Sequence, residues 1–201
     1  CKSNFRILFV FVFCSRKSAS LSLMLSVCFV NAIHSFLSLV VAKYFFFTIY
    51  FINKKGIYEY QQNREPYLLI DFATEIIPGK SAKGYKDLGN DEWFFKVHWP
   101  TDPNMPGMLQ IEALIQMCAL SILSLPGNKG KVMYLTSANN MKFIKKIIPN
   151  NRLYIETKIK SFKRGLAICE GMVLVNKEIA CKAEFGLILP EEIKKYNLKS
   201  S

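Results

Sequence analysis

From Tyr67 onward the polar and apolar positions fall into short alternating or apolar runs separated by turn residues. One long stretch interrupts this pattern, and it is apolar nearly all round. Tyr67–Ile77 reads as an apolar strand closed by the Pro78-Gly79 turn, and Lys80–Leu88 as its hairpin partner. Ile57–Asn63 reads as a short helix or turn, and Trp93–Phe95 as a short aromatic piece after a polar loop. Met108–Leu125 is too long for an ordinary strand. Pro106 and Gly107 stand at its start and Pro126-Gly127 at its end, which predicts a helix buried on most sides.

Strands are expected after this helix, at Lys131–Ala138, Met141–Ile147, Leu153–Phe162, Leu166–Val175 and Glu178–Leu189. In the third of these, Leu153, Ile155, Thr157 and Ile159 share one face while Tyr154, Glu156, Lys158 and Lys160 share the other. In the last, Ile179, Cys181, Ala183, Phe185, Leu187 and Leu189 are expected inward. Such alternation marks antiparallel strands with one wet face. The predicted class is α+β, with one buried helix inside a single antiparallel sheet.

The first 55 residues break from this pattern. They hold seven Lys/Arg and no Asp/Glu, against twenty basic and fifteen acidic side chains in residues 56–201. Their apolar runs keep no helix or strand period. Three readings are open: a membrane span near Leu21–Val41, a targeting segment, or translation from upstream of the native start. The division expected is thus an extension over 1–55 and one domain over 56–201. A domain charge of +5 favours an acidic partner and is too weak to argue for nucleic acid.

Chemistry concentrates around the long helix. The six cysteines form no CxxC pair or metal-ligand spacing, and the chain has two histidines, so buried or free thiols in a reducing compartment are expected and a metal centre is not. Glu112 is the one charged residue between Asp102 and Lys129. Two readings of it stand. Apolar surroundings would keep its carboxyl protonated and able to donate; alternatively it faces solvent on a narrow polar stripe with Gln116. His98, after an aromatic cluster, is either a packed core residue or a base. Gly107 lies where the unpaired amides of a helix N-terminus can meet a developing negative charge, or it simply starts the helix.

The run from His98 through Trp99-Pro100, then Met105-Pro106-Gly107, Glu112 and Gln116, resembles the signature of the 3-hydroxyacyl-acyl carrier protein dehydratases, enzymes of the hot-dog fold. That family carries a His, an aromatic, a Pro, Met-Pro-Gly, an acid fourteen residues after the His and a Gln four beyond the acid. Upstream, Arg64–Asp71 resembles the family's entry strand, and Phe143–Pro149 resembles a later strand and turn, so the likeness spans about Ile57–Leu189. Val97 and Thr101 stand where the family usually has Gly, beside the active loop. Glu112 resembles the plain dehydratases; the dual dehydratase–isomerase type carries Asp, although the segment around Asp102–Pro106 has some of that type's flavour.

The resemblance implies His98 as general base, Glu112 as general acid and the Gly107 amide as thioester-carbonyl donor, with Pro106 and Gln116 in support. It implies a homodimer or trimer of dimers in which His and acid meet across subunits, and it requires no cofactor and no metal. It implies acyl carrier protein as the acidic partner. A basic run over residues 141–164 that includes Lys145, Lys146, Lys163 and Arg164 would dock that partner or form an ordinary solvated sheet face. The setting expected is cytoplasmic, with plastid targeting or membrane anchoring tied to residues 1–55. An acyl thioesterase on the same fold and a non-catalytic acyl-binding or scaffold subunit are the alternatives.

Overall fold

The computed structural model describes residues 50–197 of the chain. The three readings of the N-terminal segment fall mainly on residues 1–49 and lie outside the described residues, as do Cys1, Cys14 and Cys28. The fold begins earlier than the expected boundary at 55. A first strand, β1 (Tyr50–Asn53), pairs antiparallel with β2 (Phe72–Ile77), and Asn53 caps helix α1 (Lys54–Tyr60) by accepting from the Gly56 amide at 3.1 Å.

β3 (Ser81–Asp87), helix α2 (Trp93–Val97) and the central helix α3 (Gly107–Leu123) follow. Then come β4 (Tyr134–Phe143), β5 (Arg152–Lys163), β6 (Leu166–Val175), β7 (Glu178–Ile188) and a terminal helix α4 (Pro190–Asn197). The strands form one antiparallel sheet in the order β1-β2-β3-β5-β6-β7-β4. It wraps α3, whose Ile111, Leu114, Met117, Leu120 and Ile122 are buried with Ile155, Ala167, Cys169, Val173 and Phe185 of the sheet. The predicted α+β layering and the inward face of β5 are both found. Among the described residues no helix is long and apolar enough to cross a membrane.

Several expectations are corrected. The strand predicted over Tyr67–Ile77 is confined to Phe72–Ile77. Leu68, Leu69 and Ile70 are buried in succession, without alternation. The backbone groups of Leu69 and Tyr67 bond to the Gln116 side chain of α3 rather than to a neighbouring strand. The two strands expected between Lys131 and Ile147 are one, which passes through Asn139-Asn140 by an irregularity in register where Asn140 has φ 51°.

Ile179 faces outward, not inward. Val173 pairs with Cys181 and Leu174 with Ile179, so Ala180 is an extra residue that reverses the alternation, leaving Ile179 exposed and Ala180 buried. Helix α4 was not expected, although Pro190-Glu191-Glu192 is a common way to start a helix. The aromatic piece at Trp93 is a five-residue helix, and α1 lies three residues earlier than expected.

Candidate active site

His98 caps the C-terminus of α2, and its amide donates to the Phe94 carbonyl at 2.8 Å. Phe94 and Phe95 are buried and hold this short helix to the core. At its other end, the buried ammonium of Lys86 pairs with Glu92 at 2.9 Å. The imidazole Nδ1 lies 3.0 Å from the Asn104 carbonyl. A carbonyl oxygen only accepts, so in the neutral ring this contact places the proton on Nδ1 and leaves the lone pair on Nε2. The loop carrying that carbonyl is fixed in turn. Asn104 Nδ2 donates to Asp102 at 2.8 Å, Met105 N to Ile147 at 2.8 Å, and Gln110 Nε2 to Met105 at 3.1 Å.

Glu112 projects from the second turn of α3. Gln116, one turn on, is almost fully buried and is the hub of the site. Its Nε2 donates to Glu112 Oε1 at 2.9 Å and to the Tyr67 carbonyl at 2.9 Å, while its Oε1 accepts from the Leu69 amide at 2.8 Å. A solvent-facing stripe shared with Gln116 is therefore ruled out. Burial pushes the Glu112 carboxyl above the usual carboxylate range, and the bond from Gln116 partly offsets that shift. The nearby charge of Glu112 also adds to burial in raising the Tyr67 phenol.

Gly107 is the first residue of α3. Its amide precedes the first helical hydrogen bonds, which run from Leu109 and Gln110 to the Pro106 carbonyl at 3.0 and 3.2 Å. A Cβ at Gly107 would sit 2.9 Å from the Phe143 ring of β4, so the absence of a side chain admits this close approach. Pro106 thus supports the helix start, and Gln116 the acid.

In the single chain His98 and Glu112 engage different partners, Asn104 and Gln116 respectively. A cavity of about 990 Å³ lies elsewhere. It opens among Lys83, Glu156, Lys158, Met172, Lys182 and neighbouring residues, and neither His98 nor Glu112 lines it. The four basic residues are not gathered into one patch. Lys145 pairs with Glu178 at the start of β7 and Lys146 with Asp102, whereas Lys163 and Arg164 sit at the opposite end of the sheet, beside Leu166 and Ile188. The connection that sequence reasoning missed is the role of residues 67–69, whose backbone holds Gln116. Its signal was the unalternated apolar run Leu68-Leu69-Ile70.

The described cysteines, Cys118, Cys169 and Cys181, are buried free thiols. A hydrogen bond to Cys169 and burial raise the Cys118 thiol, and burial raises that of Cys181 to about 12, so neither is a nucleophile near neutral pH. Among the described residues no group of His, Cys, Asp and Glu is placed to hold a metal ion.

A buried helix presenting a carboxyl near its start and wrapped by one antiparallel sheet defines the hot-dog fold. A family profile described as the FabA-like domain matches residues 62–184. The chain is 41% identical over 130 residues to the 3-hydroxyacyl-(acyl-carrier-protein) dehydratase FabZ of Clostridium novyi, covering 65% of this chain and 92% of that protein. It is 37% identical over 141 residues to the FabZ of a Thermoanaerobacter species, covering 70% and 99%. Among solved structures, the dehydratase heterocomplex ApeI:P from Xenorhabdus doucetiae shares the fold, with a TM-score of 0.59 at 11% identity over 72% of this chain and 97% of that one. The chain belongs to the FabA-like family and, within it, to the FabZ-type dehydratases. The thioesterase and scaffold alternatives find less support.

Proposed function

We propose that the chain removes water from a 3-hydroxyacyl thioester carried on acyl carrier protein, leaving the trans-2-enoyl thioester for fatty acid synthesis. The observation that carries this reading is the His98–Asn104 contact, which leaves Nε2 free to take the C2 proton. As that bond breaks, charge moves onto the thioester oxygen, where the Gly107 amide and the N-terminus of α3 stabilise it. The C3–O bond then breaks, and Glu112 donates its proton to the departing hydroxyl, so that water leaves. Glu112 ends as a carboxylate and His98 as an imidazolium, and net proton transfer from one to the other restores both. A carboxyl whose pKa is raised by burial suits the donor role.

The two groups come together in a homodimer, His98 from one subunit and Glu112 from the other. Edge strand β4 supports this assembly. Ten residues long and exposed along nearly its whole length, it presents Tyr134, Leu135, Met141 and Phe143 together with a backbone edge that no other described strand pairs with. A cytoplasmic setting suits the buried free thiols. For carrier docking we favour Lys145 and Lys146, because the Lys146–Asp102 pair stands next to the His98 loop.

Complementation between inactive variants tests the shared site. His98→Ala and Glu112→Gln should each lower turnover by about a hundredfold or more. Mixed and refolded together, they should regain about a quarter of wild-type activity, because half the dimers are hybrids with one intact site of two. A mixture as inactive as its components would overturn the cross-subunit assignment.

A further inference from the structure

Trp99 is a bulky aromatic residue in the left-handed backbone region, with φ 52°. Such a conformation is costly for a residue with a Cβ and persists where the surroundings impose it, often at functional sites. The surroundings here are visible. The preceding residue caps α2 through the bond from His98 N to the Phe94 carbonyl, and the Trp99 carbonyl accepts from Asp102 N at 2.8 Å across the Pro100-Thr101 turn. The backbone is thus held on both sides, and the indole stacks on the His98 imidazole with centroids 4.5 Å apart and planes 20° from parallel. The indole is nonetheless 60% exposed, so burial of its own surface does not account for the strain.

We propose that Trp99 is a positioning residue for His98. This rests on the reading of His98 as the base. The imidazole is then held twice: along one edge by the Asn104 carbonyl and across one face by the indole. The carbonyl fixes the tautomer, and the indole fixes the ring plane, so Nε2 points in one direction. The charged groups on the segments around the ring are Lys96 of α2 and Asp102 with its partner Lys146. In the proposed dimer the partner subunit's Glu112 joins them.

The test uses Trp99→Leu, which keeps a side chain at the left-handed position and removes the ring, and Trp99→Phe, which restores a stacking face. Leu should lower kcat at least about tenfold with KM within about twofold, and Phe should recover most of the loss. A second readout needs no activity. Indole emission of the wild type should change as the imidazole titrates, and His98→Gln should abolish that inflection. Trp93, whose Nε1 donates to the Pro66 carbonyl at the far end of α2, contributes equally to both proteins. Wild-type kcat in the Leu variant would overturn the proposal, as would identical emission curves in wild type and His98→Gln. If the complementation test fails while the emission inflection is present, the stacking role stands and the cross-subunit assignment does not.

Discussion

Glu112 has its carboxyl pushed upward chiefly by burial, and stability must follow. Between the unfolded and the raised folded titration ranges, the unfolded chain has released the proton and the folded one still holds it. The folded state therefore binds more protons, and stability falls as pH rises through that window. Glu112→Gln removes the titration while keeping an acceptor for Gln116. The variant should gain stability relative to wild type at pH 8 compared with pH 4, which urea denaturation at the two pH values would measure; an equal difference at both would contradict the shift. At this scale the sequence was informative about Glu112 as an isolated acid in an apolar helix. It could not show that Gln116 turns inward, because that depends on two backbone groups 47 and 49 residues away.

At the scale of elements, legibility followed locality. Helix α3 was read within a residue or two at each end, since its apolar content and its Pro and Gly boundaries are local. β5 alternates without interruption as far as Ile159, and its face assignment held. The misses occurred where pairing with a neighbour decides: the extra residue at Ala180, and the Asn139-Asn140 irregularity that continues β4 where a break was expected. Contact between the helix and sheet layers is similarly non-local. Gly84 of β3 lies where a Cβ would collide with the Phe72 carbonyl and the Met117 methyl group. Gly84→Ala should lower stability by about 2 kcal/mol or more, because a backbone carbonyl yields less readily than a side chain tip. A melting temperature within a degree of wild type would show that β2 and α3 adapt more freely than close packing allows.

For the whole molecule, charge is distributed by region. Lys160 of β5 is occupied by Glu170 of β6 and Glu184 of β7, and Arg152 of β5 by Asp87 of β3, all on inner strands of the sheet. Lys146 bridges to Asp102 in the turn beside His98. If the carrier docks there, Lys145→Glu with Lys146→Glu should raise KM for carrier-bound substrate several-fold while leaving pantetheine-bound substrate nearly unchanged, and the effect should shrink as salt increases. Equal losses on both substrates would locate the effect in the catalytic loop instead. The corresponding change at Lys163 and Arg164, at the other end of the sheet, serves as the comparison.

Strand β1 has a practical consequence for anyone shortening the chain. The family match begins at residue 62, yet β2 is shielded on one side by Tyr50–Asn53. Trimming to the matched region would strip that cover and leave a raw seam of amides and carbonyls along Phe72–Ile77, ready to recruit strands from neighbouring molecules. A version begun at Gly56 should scatter more light on standing than one begun at or before Tyr50. Equal clarity of the two solutions would show that the added strand is dispensable for keeping molecules apart.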